Sequence, residues 1–253
     1  EALRMSAVNG HLDTLRYLVE TFHLTAEDAR AVNNEALRLC ASRGHLDTLR
    51  YLVETFQLTA EDARADDNQA LRCSASEGHL DTLRYLVETF RLTAEDARVD
   101  DNQALCRCAS GGHLDTLRYL KEAFNLTTED ARAQNNYAFR LNVSKGRLDV
   151  LRYLKEEFGL TAEDARIYNN FALIESARSG NLDMLRYLID GFGLTAADVC
   201  AGGSNDALFH AFINDHGAVV SYIKGLLGSK YKPTYRGLVL QDLLRALESV
   251  GVQ

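Results

Sequence analysis

The sequence predicts an all-α fold: a solenoid of about seven repeated units, each of two antiparallel helices and a short third helix, closed by a C-terminal helix. Three observations carry this. The stretch GHLDTLRYLVETF at residues 10–22 returns letter for letter at 44–56 and 78–90, and in altered form at 112–124, 146–158 and 180–192, each 34 residues after the last. A fixed period of that length marks units that cannot bury an apolar face alone and stack to share one. Within each unit the apolar residues fall at helical spacing, and Gly, Asn and Thr recur between those runs.

The unit at residues 34–67 shows each element in order. Its first helix, residues 35 to about 43, places Ala36, Leu37, Cys40 and Ala41 on one face. Asn34 stands where a short polar side chain caps a helix N-terminus, and Asn recurs there as Asn68, Asn102, Asn136, Asn170 and Asn205. Gly44 ends that helix, since glycine accepts the left-handed conformation of a C-terminal stop. In the second helix, residues 46–56, Leu46, Leu49, Leu52, Val53 and Phe56 form an apolar stripe. Asp47, Arg50 and Glu54 form a polar row on the solvent side, worth tenths of a kcal/mol per pair. Thr59 followed by Asp62 has the spacing of a capping box with a shorter acid, which predicts a short third helix over residues 59–64.

These signals divide the chain into units 1–33, 34–67, 68–101, 102–135, 136–169, 170–204 and 205–227, with 228–253 as a capping segment. The chain opens in mid-repeat, Glu1-Ala2-Leu3-Arg4 matching Glu35-Ala36-Leu37-Arg38, so the array is expected to extend ahead of Glu1. Near the other end Gly202-Gly203 reads as a loop that lengthens the sixth unit by one residue. The seventh is eroded, and the final amphipathic helix, about residues 237–250, gathers Leu240, Leu243, Leu244 and Leu247 on one side.

Composition narrows the function classes. A net charge of −8 argues against a nucleic-acid partner, which needs clustered Lys and Arg. No apolar run approaches the roughly 20 residues of a membrane span. The five cysteines show no C-x-x-C spacing, and Cys40 and Cys108 share one position with Ser6, Ser74, Ser176 and Ala211, a slot for a small side chain. They read as reduced packing cysteines of a cytosolic protein. His11, His45, His79 and His113 recur every 34 residues, but helices packed roughly 8–10 Å apart cannot share ligands that reach only about 2 Å. Arg147 and Asn181 fill the same place, so no metal is expected there. No nucleophile elbow, phosphate-binding glycine loop or H-E-x-x-H occurs, no cofactor is implied, and no catalytic residue is assigned.

The run x-A-L-R-x-x-A-x-x-G-H-L-D-x-L-R-Y-L-V-E resembles the two-helix part of the ankyrin repeat, including its Gly-His-Leu-acid junction, across nearly the whole chain. The family's Thr-Pro-Leu-His opening is Glu35-Ala36-Leu37-Arg38 here, and the unit has 34 residues rather than 33. Where the family forms a β-finger, this sequence reads as the helix at 59–64. The resemblance therefore implies an all-helical, right-handed variant. The tetratricopeptide repeat shares the length, but its Trp landmark is absent. The 34-residue DNA-binding arrays share it too, without their basic surface appearing here.

The resemblance implies a non-enzymatic scaffold, a monomer, binding a protein or peptide on the concave face that first helices and fingers line. It also implies a cytoplasmic protein, in the host cytosol if delivered as an effector, since three verbatim copies suit the large ankyrin families of intracellular bacteria and large viruses. The alternative is a targeting arm for an enzyme encoded outside residues 1–253, or a spacer. Positions that differ between copies point to the surface. One series reads Glu35, Gln69, Gln103, Tyr137, Phe171; the next Leu39, Cys73, Arg107, Leu141, Glu175; the third Arg43, Glu77, Gly111, Lys145, Ser179. The linker position reads Val32, Asp66, Asp100, Gln134, Tyr168. The partner-binding expectation rests on the members with distinctive chemistry. These are Leu39, Arg43, Asp66, Cys73, Glu77, Asp100, Arg107, Gln134, Tyr137, Leu141, Lys145, Tyr168, Phe171 and Glu175, with Tyr137, Leu141, Tyr168 and Phe171 as aromatic centre.

Overall fold

A computed structural model describes residues 1–200 and 207–228. The described residues are helical and contain no strand. The chain divides into two compact units, Glu1–Ala138 and Phe139–Gln253.

The first unit is built on four second helices, Leu12–Phe22, Leu46–Phe56, Leu80–Phe90 and Leu114–Phe124. Each ends on a left-handed residue, His23, Gln57, Arg91 and Asn125, which turns the chain after the aromatic ring. The apolar stripe is buried as its period requires: Leu49, Leu52, Leu83, Leu86, Leu117 and Leu120 are fully enclosed. What stacking contributes can be read from one position, because Phe22 is 62% exposed whereas Phe56 and Phe90 are 5% and 6%. At about 25 cal/mol per Å2 of apolar surface, a covered ring of this kind stabilises by 1.5–3 kcal/mol.

The third element is a short helix, Ala60–Ala63 or Thr128–Ala131, where the family resemblance left a β-finger in question. The capping box is present as its spacing predicts. The Asp62 carboxylate accepts from the Thr59 backbone N–H at 2.8 Å and from its hydroxyl at 3.1 Å, and the same pair recurs at Thr25–Asp28, Thr93–Asp96 and Thr127–Asp130.

Between the third helix and the next first helix the backbone does something the sequence reading did not anticipate. Three consecutive residues adopt left-handed conformation: Val32, Asn33 and Asn34; Asp66, Asp67 and Asn68; Asp100, Asp101 and Asn102; Gln134, Asn135 and Asn136. The expectation that Asn34, Asn68, Asn102, Asn136 and Asn170 are N-caps is therefore corrected. A capping residue needs extended backbone, and Asn34 has φ 57° and ψ 35°. Asn and Asp tolerate that region better than other residues with a Cβ, which is why they fill most of these places. The Asn side chain is used elsewhere: the buried Asn68 amide donates to the Asp96 carboxylate at 3.3 Å.

The second unit repeats the plan with Leu148–Phe158, then Leu182–Arg186 running into a π-helical turn over Tyr187–Gly191, then Gly217–Leu227. Tyr168, Asn169 and Asn170 form its left-handed turn, and Thr161–Asp164 and Thr195–Asp198 its capping boxes. Helices Ala207–Ile213 and Gly217–Leu227 fall in the stretch where the sequence places an eroded seventh copy. The Gly202-Gly203 loop, the Asn205 cap and the final helix near 237–250 lie outside the described residues.

Candidate functional site

Within each unit several of the residues that do not change between copies are engaged by the neighbouring copy, whereas Asp47 and its equivalents recur unchanged and stay exposed. His45 and His79 lie against the glycines that end the preceding first helices. A Cβ on Gly10 or Gly44 would come within 2.6 Å of the ring, and each glycine also has positive φ. In the second unit Asn181 takes the corresponding place against Gly146, and His216 against Gly180, its Nε2 donating to the Arg178 carbonyl at 3.0 Å. The recurrent histidine thus packs on glycine backbone, a structural role that Asn can share.

Arg and Tyr of the second helix are engaged in the same way. The Arg16 guanidinium lies 5.6 Å from the Tyr51 ring centre, Arg50 5.5 Å from Tyr85 and Arg84 5.2 Å from Tyr119. Arg152–Tyr187 and Arg186–Tyr222, both at 5.4 Å, continue the pattern in the second unit. The row within one helix is the weaker arrangement, Arg16 and Asp13 standing 4.0 Å apart and well exposed. Each cation–π contact contributes roughly 0.5–1 kcal/mol at such sites.

The capping aspartates Asp62, Asp96, Asp130 and Asp198 carry a second partner. Arg30 pairs bidentately with Asp62 at 2.8 and 3.0 Å, Arg64 with Asp96 at 2.7 and 3.0 Å, and Arg98 with Asp130 at 2.7 and 3.0 Å. Burial alone would raise the Asp62, Asp96 and Asp130 carboxyls. The guanidinium of the preceding copy, with the two threonine bonds, outweighs it and leaves all three below the ordinary carboxylate range. In the second unit Arg166 holds Asp198 down to about 2.

A further Arg series sits on the first helices beside the left-handed turns. Arg38 donates to the Asn33 and Val32 carbonyls of its own turn and reaches Asp66, at 2.7 Å, and Gln69 of the next copy. Arg72 does the same with the Asp67 and Asp66 carbonyls, with Asp100 at 3.0 Å, and with Gln103. In the next copy Cys106 replaces the arginine. There the Gln134 amide donates back to the Asp101 and Asp100 carbonyls, at 3.0 and 3.4 Å, which the missing guanidinium would have served. In the second unit Arg140 returns and lies 4.9 Å from the Tyr168 ring centre.

The residues expected to bind a partner fall into distinct groups. In the first unit Arg43, Asp66, Glu77, Asp100, Arg107 and Gln134 are exposed, while Leu39, Cys73 and Tyr137 are half-buried. Asp66 and Asp100 are ion-paired, and Gln134 is bonded as described. In the second unit Lys145 and Tyr168 are exposed, Tyr168 by 57%, and Leu141 and Phe171 half-buried. Glu175 stands apart: it is only 9% exposed, and its carboxylate accepts two bonds from Arg178, at 2.6 and 2.8 Å. Tyr137 belongs to the first unit and Leu141, Tyr168 and Phe171 to the second.

Cys40, Cys106 and Cys108 are enclosed, and burial pushes the Cys40 and Cys106 thiols up to about 12 and raises Cys108 as well. A thiol held protonated in this way is a packing group rather than a nucleophile. The slot expected to take only small side chains also takes Asn142, fully buried. Among the described residues no group of three metal-ligating side chains comes together.

A family model described as ankyrin repeats matches residues 37–130 in three copies. Among solved structures, the X-ray structure of an ankyrin repeat family protein from Legionella pneumophila aligns at 20% identity over 92% of this chain and 72% of that one, with a TM-score of 0.44. No curated protein matches.

Proposed function

We propose, from the premise that this chain belongs to the ankyrin-repeat family over the matched residues 37–130, that it is a non-enzymatic scaffold docking a protein or peptide on its first helices and left-handed turns. Ankyrin repeats are in general protein–protein interaction modules and as a class non-catalytic. One observation carries the assignment to this face. Arg50, Tyr85 and Asp96, constant between copies, are engaged by the neighbouring copy, whereas Leu39, Arg43, Cys73, Glu77 and Arg107 differ from copy to copy, lie at least partly in solvent and serve no such contact that recurs. Aromatic side chains with part of their surface in water supply much of the energy of protein interfaces, and Tyr137, Tyr168 and Phe171 are of that kind. A cytosolic setting fits the buried thiols Cys40, Cys106 and Cys108, none in a disulfide.

The test is affinity capture from cell lysate with the full chain, compared with a variant carrying Ala at Tyr137, Leu141, Tyr168 and Phe171. A captured protein should bind the variant at least about tenfold more weakly, with the thermal melt retained. Equal affinity for both would remove this face from consideration.

A further inference from the structure

The first unit differs from the second in charge. Residues 1–138 hold 15 Lys and Arg against 23 Asp and Glu, whereas residues 139–253 hold 13 of each, so the first unit carries the whole net charge of −8. Many of its acids are matched: Asp62, Asp96 and Asp130 by the preceding arginines, Asp66 and Asp100 by Arg38 and Arg72. Asp67 and Asp101, next to them in the left-handed turns, are exposed, and their carboxylates enter no ion pair or hydrogen bond among the described residues. Glu61 and Glu95 stand in solvent just ahead of these turns, near Arg64 and Arg98, whose charge Asp96 and Asp130 already match. The exposed cations of the first helices here are Arg43 and Arg107, with exposed Glu77 in the copy between them, so the excess along this edge stays negative.

Beside the acidic turns lies an apolar patch. Val32 holds the position that Asp66 and Asp100 hold in later copies, is 60% exposed and has φ 55°. A β-branched side chain is a poor choice for left-handed backbone, where Asn or Asp is better tolerated, so folding gives no reason for Val32. Met5 is 55% exposed, and Leu39, at the same position in the next first helix, is half-buried. The three belong to one place: Arg38, which precedes Leu39, donates to the Val32 carbonyl at 3.3 Å, and Arg4, which precedes Met5, pairs with Glu35.

We propose that this edge of the first unit takes a basic segment of a partner protein, with an aliphatic or aromatic anchor on Met5, Val32 and Leu39 and Lys or Arg along Asp67 and Asp101. The proposal rests on the reading of first helices and turns as the docking surface and names the partner's chemistry. Charge complementarity selects the occupant: an acidic segment or a phosphate backbone would meet like charge. Adjacent helices pack roughly 8–10 Å apart and an extended chain advances about 3.3 Å per residue, so the cations should stand about three and six residues from the anchor.

The experiment uses the full chain as bait for random peptides displayed on phage, with Val32→Asn as counter-bait. That variant should melt at or above the parent, because Asn accepts this backbone; should it lose its fold, Met5→Gln replaces it. Peptides retained by the parent and lost on the counter-bait should carry Lys or Arg at that spacing from an apolar residue. Synthesised, they should weaken about fivefold on Asp67→Asn/Asp101→Asn and again as salt rises from about 0.05 to 0.5 M. Val32-dependent peptides that are neutral or acidic, or that ignore the double variant, would overturn the basic-segment proposal and leave the docking face standing. If retained peptides depend instead on Tyr137, Tyr168 or Phe171, this patch fails and the docking face stands. Dependence on none of these residues would remove both.

Discussion

The two units use one guanidinium position differently. In the first, Arg38 and Arg72 meet Asp66 and Asp100 of the following turn; in the second, Arg140 meets the Tyr168 ring. Where Cys106 interrupts the series, the turn residue that follows is neither acidic nor aromatic but Gln134, which bonds the turn carbonyls itself. The lesson is that variation between copies has two sources. At the turn position, Asp66, Asp100, Gln134 and Tyr168 are each suited to the neighbour they were given, whereas Val32 is exposed and Arg4 of the preceding copy bonds Glu35 instead. At Leu39, Cys73, Arg107 and Leu141, and at Arg43 and Glu77, the residues change from copy to copy without a matched change of that kind, and the proposed reading assigns that variation to a partner.

The sharpest way to break that division is to remove a residue that both copies of an interface need. Asp96→Ala takes the cap from Thr93 and the bidentate partner from Arg64, and should cost about 3 kcal/mol in urea denaturation. Asp28→Ala removes only the Thr25 cap among the contacts described here and should cost clearly less. Equal losses would mean that the guanidinium contributes nothing between copies.

Acid should weaken the same interfaces next. The folded Asp62, Asp96 and Asp130 carboxyls lie below their ordinary value of 3.8, and Asp198 lies near 2. A depressed folded-state pKa stabilises above the unfolded value and loses that contribution as pH falls through the folded one. The melting temperature should therefore hold down to about pH 5 and fall toward pH 2, less steeply in Asp96→Asn. A profile unaltered by that substitution would contradict the assignment.

A smaller effect is expected from rebuilding the interrupted series. Cys106→Arg with Gln134→Asp restores the pair seen at Arg38 and Asp66, and the double variant should exceed the sum of the singles by about 0.5–1 kcal/mol. No coupling would show the turn residue to be independent of its neighbour. The smallest effect is none: excess zinc or EDTA should leave the melt in place, since the recurrent histidines pack on glycine. A shift of several degrees with zinc would reopen metal binding.

Much of the fold was legible because helix and cap signals are local. Thr59 and Asp62 announce the short helix by spacing alone, and Leu49, Leu52 and Phe56 announce the stripe. Two features were not legible, for physical reasons. Asn is favoured both at N-caps and in left-handed backbone, so Asn34 as a letter fits either, and only its φ separates them. Arg50 and Tyr51 recur unchanged, and identical copies give no sign whether Arg50 faces Asp47 in its own helix or Tyr85 in the next. By contrast, the replacement of Arg by Cys106 together with the change from Asp100 to Gln134 was written in the sequence as a paired departure. Of the candidate site, Tyr168 and Lys145 are exposed as their variability suggested. Glu175 is not, because variability alone does not distinguish a solvent position from one enclosed with a nearby arginine.

The most direct measurement is a saturation library of the full chain sorted twice, once for protease-resistant folding and once for retention of a ligand selected on the parent. The account predicts two separate sets. Folding should fail at Gly44, Leu83, Asp96 and their equivalents, and binding should fail, with folding intact, at first-helix and turn residues such as Arg107, Leu141 and Tyr168. Binding losses concentrated instead on the Arg50–Tyr85 row of the second helices would contradict it.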